Sequence, residues 1–186
     1  MFKSSTYQTR RDGLVKNMDS GLILMPGNED VPMNYRSNTY HFRQDSSFLY
    51  FFGPDRQGLT GLIDVDEDKS ILFGDDDDLD NIIWMGKRTS IHSLGEQAGV
   101  DECLPLIELE KVLKDALNKG RPIHYLPPYR KEKLLKIAKW LGTDHSVVIE
   151  RASDELIRNV VHLRSVKSPE EVAEIEKAVD IAHEMH

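Results

Sequence analysis

Leu59-Thr60-Gly61-Leu62-Ile63-Asp64-Val65, then Asp66-Glu67-Asp68-Lys69, then Ser70-Ile71-Leu72-Phe73: two apolar runs of strand length joined by four charged residues read as a β-hairpin. A short polar turn of this kind pairs its arms antiparallel. Upstream, Thr6 to Met18 carries apolar residues at Tyr7, Leu14 and Met18 and reads as a helix. Gly21-Leu22-Ile23-Leu24-Met25 is a short apolar run closed by Pro26-Gly27, the pattern of a buried strand. Asn28 to Ser37 is polar and reads as loop. Ser47 to Phe52 is rich in aromatic residues and stops at Gly53-Pro54, which predicts another strand. Downstream, Ile107, Leu109, Val112, Leu113, Ala116 and Leu117 form a helical stripe closed by Gly120. Pro122 to Leu126 reads as a strand, Tyr129 to Leu141 as a helix ended by Gly142, and Val147 to Ile149 as a last strand. Helices alternating with strands, plus one hairpin, predict an α/β fold with helices on both sides of a mixed sheet.

The composition sets limits. With 186 residues, 39% hydrophobic and 30% charged, the chain suits one domain, or one domain and a stub. No apolar stretch approaches the ~20 residues of a membrane helix. Met1-Phe2-Lys3-Ser4-Ser5 lacks the apolar block of a secretory signal, and Cys103 is the only cysteine, so a disulfide framework is excluded and a cytoplasmic location is the default. A net charge of −8, with Lys and Arg scattered, argues against nucleic acid as a partner.

No catalytic constellation stands out. In His183-Glu184-Met185-His186 the two histidines are one residue too close for the zincin spacing, and no third ligand lies nearby. Asp75-Asp76-Asp77-Asp78 lacks the alternation and central glycine of a calcium loop and reads as a solvated loop. Cys103 has no activating neighbour in sequence and reads as a structural thiol. Ser168-Pro169-Glu170-Glu171 is a capping box with proline at the first helical position. Val172, Ile175, Val179 and Ala182 continue it as an amphipathic helix without a closing glycine, asparagine or proline. That pattern reads as a longer helix cut short, the alternative being a terminal helix that frays.

Three stretches resemble one family. Tyr40-His41-Phe42-Arg43-Gln44-Asp45-Ser46-Ser47-Phe48-Leu49-Tyr50-Phe51-Phe52-Gly53 resembles a signature of aminopeptidase P N-terminal domains: Tyr-x-Phe-Arg-Gln, an acid or amide, Ser, then an aromatic segment ending in Gly. Ile83-Trp84-Met85-Gly86-Lys87-Arg88 is similar to the family's Ile-Trp-x-Gly-basic-Arg. Val160-Val161-His162, followed by Lys167 to Glu171, is similar to its join to a catalytic domain.

The resemblance implies a ribonuclease-H-like, creatinase-type domain over residues 1–166, with a mixed sheet of about six strands. Residues 167–186 would begin the helix leading into a pita-bread catalytic domain. That domain would carry two metal ions, usually manganese, held by Asp, Asp, His, Glu and Glu, and would remove an N-terminal residue preceding proline. None of those ligands can be assigned here, so the resemblance implies no catalytic or metal residue in this chain and no cofactor of its own. The implied partners are the chain's own catalytic domain, further copies in a homo-oligomer, and a proline-containing peptide.

Within the first motif, Arg43 offers a fork of donors with Asp45 as its nearest acceptor. Tyr40, Phe42, Arg43, Gln44 and Asp45 together read as a core-and-brace motif. In bacterial members the tryptophan matching Trp84 lies near the active-site entrance of a neighbouring subunit, which implies a substrate-binding role in trans. The alternative is an ordinary core tryptophan. Three rivals remain: a prolidase or creatinase relative, a non-enzymatic peptide-binding module, and a nuclease that would need Asp64, Asp66 and Asp75 to converge.

Overall fold

The computed structural model describes residues 1–35 and 37–185. In chain order the elements are α1 (Ser4–Val15), β1 (Leu22–Pro26), β2 (Pro32–Tyr35), β3 (Asn38–Thr39), α2 (Ser46–Phe51), β4 (Thr60–Asp64), β5 (Lys69–Phe73), α3 (Leu79–Met85), α4 (Ile91–Ala98), β6 (Glu102–Leu104), a 3₁₀ turn (Leu106–Glu108), α5 (Leu109–Asn118), β7 (Ile123–Tyr125), α6 (Lys131–Leu141), α7 (His145–Glu150), α8 (Asp154–Ser165) and α9 (Pro169–Met185).

The main sheet has five strands in the order β6-β5-β4-β1-β7. The expected hairpin forms its antiparallel centre, with Leu62 opposite Ile71, and β1 pairs antiparallel to β4, with Leu24 opposite Leu62. The outer strands run parallel to their neighbours, β7 beside β1 and β6 beside β5. The sheet is mixed, as expected, with five strands rather than about six.

Side-chain alternation divides the core in two. Ile23, Met25, Ile63 and Leu72 face one way and meet Leu14 of α1, the three phenylalanines Phe48, Phe51 and Phe52, Leu94 of α4, and Leu156 and Val160 of α8. Leu22, Leu24, Leu62, Ile71 and Phe73 face the other way onto Leu109 and Leu113 of α5, Ile137 and Trp140 of α6 and Val148 of α7. Both faces are therefore covered by helices, which is why the central strands β1, β4 and β5 are buried along nearly their whole length. Gly61 sits where Phe52 crosses the sheet: a Cβ there would stand 2.2 Å from the ring.

Three expectations fail. Residues 47–51 lie in a helix, α2, with Phe52 as its C-cap, not in a strand. Phe48, Phe51 and Phe52 follow the helical i, i+3, i+4 spacing, and Asp45 caps the helix by accepting from Ser47 N (2.9 Å) and Phe48 N (3.0 Å). Residues 147–149 also lie in a helix, α7, started by Asp144, which accepts from Ser146 N at 2.8 Å. Within the segment expected as loop, Pro32–Tyr35 pairs with Asn38–Thr39 as a small two-stranded ribbon.

Candidate functional site

Trp84 stands on α3, at the middle of a loop that leaves β5 at Gly74 and re-enters the fold at α4. The ring is 83% exposed, so the core-tryptophan alternative is wrong. Leu79 and Ile83 are also exposed on α3, four residues apart and so on one side of the helix, while Trp84, the residue after Ile83, projects about 100° further round. Gly86 ends α3 with φ +78°, a left-handed turn that glycine adopts without strain.

The acidic run is not a freely solvated loop; three of its four aspartates hold the base of this loop together. Asp75 accepts from Leu106 N (3.1 Å) and Asp76 from Ile91 N (2.7 Å), the first residue of α4. Asp77 receives Arg88 Nε on both carboxylate oxygens, at 2.8 and 2.9 Å, and Arg88 Nη2 as well. Those hydrogen bonds hold the Asp77 carboxyl below the usual carboxylate range. Arg56 spans the two limbs, donating to Asp75 O (2.6 Å) and Thr89 O (2.9 Å). Of these residues, the sequence marks Trp84 and Arg88 through their motif, and the aspartates only as an acidic run and, for Asp75, a nuclease candidate. Arg56 gave no signal, because its partners are backbone carbonyls distant in sequence.

The first motif is a brace, with different pairings from those expected. Gln44 is buried; its Oε1 accepts from Asn28 N (2.6 Å) and Asp45 N (2.9 Å), and its Nε2 donates to Arg56 O (2.7 Å). Asp45 pairs with Lys133 of α6 at 2.6 Å, not with Arg43. Arg43 is exposed, and its carbonyl accepts from Asn28 Nδ2 at 2.8 Å. Tyr40 is exposed with its backbone N–H on Val31 O, and Phe42 is half-buried. Burial pushes the Lys133 ammonium down from its ordinary value, while the Asp45 carboxylate opposes that shift.

The root of α9 is the third notable place. The capping box is formed: Ser168 N donates to Glu171 Oε2 (3.1 Å) and Glu171 N to Ser168 Oγ (3.4 Å). The same Oε2 lies 3.6 Å from Arg10 Nη2. Arg10 is buried, lies 4.0 Å over the Tyr50 ring and donates to Tyr50 O at 2.8 Å, and Tyr50 Oη donates to Leu163 O of α8. Beyond this root the apolar side chains of α9 are largely uncovered: Val172, Ile175 and Val179 are 41%, 48% and 59% exposed.

Other candidates resolve differently. Asp64 and Asp66 gather round Arg121 at one end of the hairpin, Asp66 accepting from Arg121 Nε at 2.8 Å, whereas Asp75 follows β5 at the opposite end. The three carboxylates a nuclease would need therefore do not converge. Cys103 is half-buried against Ile91 O, and burial pushes its thiol up, away from reactivity. His186 lies outside the described residues, so the His183 pair has no geometry to assess. Among the described residues no three His, Cys, Asp or Glu side chains group to hold a metal, so these residues do not fit a dinuclear centre. Nor is any described helix long and apolar enough to cross a membrane.

The comparisons with known proteins agree with this architecture. A family model, "Aminopeptidase P, N-terminal domain", matches residues 7–124. The Xaa-Pro aminopeptidase of Escherichia coli (strain K12) is 30% identical over 195 residues, covering 97% of this chain and 43% of that protein. The Xaa-Pro dipeptidase of Rattus norvegicus is 28% identical over 161 residues, covering 87% of this chain and 30% of its own length. A solved variant of Escherichia coli aminopeptidase P superposes with a TM-score of 0.78 at 25% identity, over 97% of this chain and 43% of the other. The chain thus spans less than half the length of the relatives it matches. By the family match and by the five-stranded mixed sheet with its two helical layers, the chain belongs to the aminopeptidase P N-terminal domain family.

Proposed function

We propose that this domain is the non-catalytic N-terminal part of a Xaa-Pro aminopeptidase, which hydrolyses the bond between an N-terminal residue and a following proline. In this reading the chemistry belongs to a dinuclear metal centre, usually manganese, built by sequence outside this chain. The present domain, ending near residue 166, serves oligomer contacts and restricts access to a neighbouring subunit's active site. α9 leads toward the catalytic part, and its apolar side docks there.

The observation that carries the reading is Trp84, a large apolar ring held in solvent on a braced loop within a family motif. Exposing such a ring is unfavourable unless it meets a partner, at about 25 cal/mol per Å² of apolar area. An indole stacks well on the ring of proline or on a leading side chain, and such a contact is worth about 0.5–1.5 kcal/mol. In the full-length protein, Trp84→Ala is expected to raise KM for Xaa-Pro peptides by about twofold to tenfold, with metal content and melting temperature unchanged. An unchanged KM across peptide lengths would defeat the assignment. A dipeptidase reading is favoured by the rat relative and is separated from the first by the same assay, because a dipeptidase cleaves only the two-residue substrate.

A further inference from the structure

We propose that Arg56, Arg88 and Asp77 are positioning residues for Trp84: they staple the two limbs of the 75–90 loop and so fix α3 in space. The inference rests on the reading of Trp84 as a substrate-facing ring, but its geometry stands independently.

A loop of sixteen residues carrying a half-free helix would ordinarily sample many orientations, because each unconstrained residue retains its backbone freedom. Here the outgoing limb, 75–77, and the returning limb, 88–91, are tied at three levels. Nearest the sheet, Asp75 holds Leu106 N and Asp76 holds Ile91 N. One step out, Arg56 bridges the carbonyls of Asp75 and Thr89. Outermost, Asp77 and Arg88 close a bidentate pair directly beneath α3. Arg56 is itself fixed, since its carbonyl takes the Nε2 of buried Gln44. The brace of the first motif and the stage for Trp84 are therefore one connected network, running from Asn28 through Gln44 and Arg56 to the loop.

The chemistry selects arginine at both bridging positions. One planar guanidinium spans two carbonyls at Arg56 and grips two carboxylate oxygens at Arg88, which a lysine's single nitrogen does only loosely. Fixing the ring beforehand means that a ligand meeting it does not have to order the loop, so affinity is kept without a further contact.

The test uses 5-fluorotryptophan in the 186-residue chain, which has two tryptophans, Trp84 and the buried Trp140. Trp84→Phe assigns the two fluorine resonances. In Arg56→Ala, Arg88→Ala and the double variant, the Trp84 line is expected to narrow and move toward the free amino acid, while the Trp140 line stays in place. A Trp84 line unchanged in the double variant would overturn the proposal. In the full-length protein the double variant is expected to raise KM by about twofold to tenfold with kcat preserved, no more than Trp84→Ala does. If Trp84→Ala raises KM and the double variant leaves it unchanged, the staple does not position the ring for binding and the proposal fails. If Trp84→Ala itself is silent while the fluorine line still responds, the staple stands and it is the substrate-facing reading that falls.

Discussion

Replacing Asp45 with alanine removes two interactions held by one carboxylate. Its Oδ1 caps α2 through Ser47 N and Phe48 N, and its Oδ2 neutralises Lys133 at 2.6 Å. Loss of an N-cap costs about 1 kcal/mol. Removing one partner of a buried pair costs about 3–5 kcal/mol, and the lower end applies here because Lys133, already pushed down by burial, can shed its proton. The side chains of Lys133 and Asp45 are 8% and 14% exposed, so solvent screens the pair little. Asp45→Ala is therefore expected to destabilise the domain by about 4 kcal/mol, roughly 8–16 °C in melting temperature for a chain of this size. Lys133→Met in the Asp45→Ala background should recover part of the loss, because an apolar chain of similar length tolerates the site. Arg43→Ala, at an exposed position, should shift the transition by about 1 °C or less. Urea titrations of the four-member cycle measure the coupling directly. A coupling between Asp45 and Lys133 below about 0.5 kcal/mol, or an Arg43→Ala loss as large as that of Asp45→Ala, would refute the reasoning.

Two further outcomes are expected. Gly61→Ala should destabilise by about 1–3 kcal/mol, read by urea titration, because its Cβ falls 2.2 Å from the rigid Phe52 ring; Phe52→Leu should partly relieve it. The Trp84 fluorine resonance should hold its position from neutral pH down to about 4 and move only below that. The Asp77 carboxyl titrates lower when folded than unfolded, with Arg88 and Arg56 facing it, so the staple is complete above the unfolded value and is lost as pH falls through the folded one.

The layered α/β plan was legible because it rests on local signals. The hairpin, β1, β7, α5, α6 and the capping box of α9 all lay where apolar period and punctuation put them. The failures have a common cause: short runs in which residue type outweighed spacing. Phe48 to Phe52 and Val147 to Ile149 favour strands by composition, yet each follows an aspartate that caps a helix. In α7 only Val148 of that run is buried, so one inward residue per turn suffices. Helices α4 and α8 went unread although Ser90 and Ser153 cap them, because their apolar stripes are short and interrupted by polar residues. For the candidate site, the sequence singled out Trp84 but not what holds it, since bonds from Arg56 to carbonyls leave no pattern along the chain.

The shared oxygen of Glu171 has a mechanical consequence. It closes the first turn of α9 and faces Arg10, which is itself wedged on Tyr50 and thereby tied to α8. A rod gripped at its root behaves as a cantilever. Seventeen residues of α9 give an arm of about 25 Å, so a tilt of a few degrees at the grip displaces the tip by an ångström or more. Torque applied anywhere along that arm concentrates on the Arg10–Glu171 contact and the Ser168 turn. Bending is therefore confined to one joint, and the stiffness of that joint sets how faithfully a push on the far end of the helix reaches α1 and the layer packed beneath it.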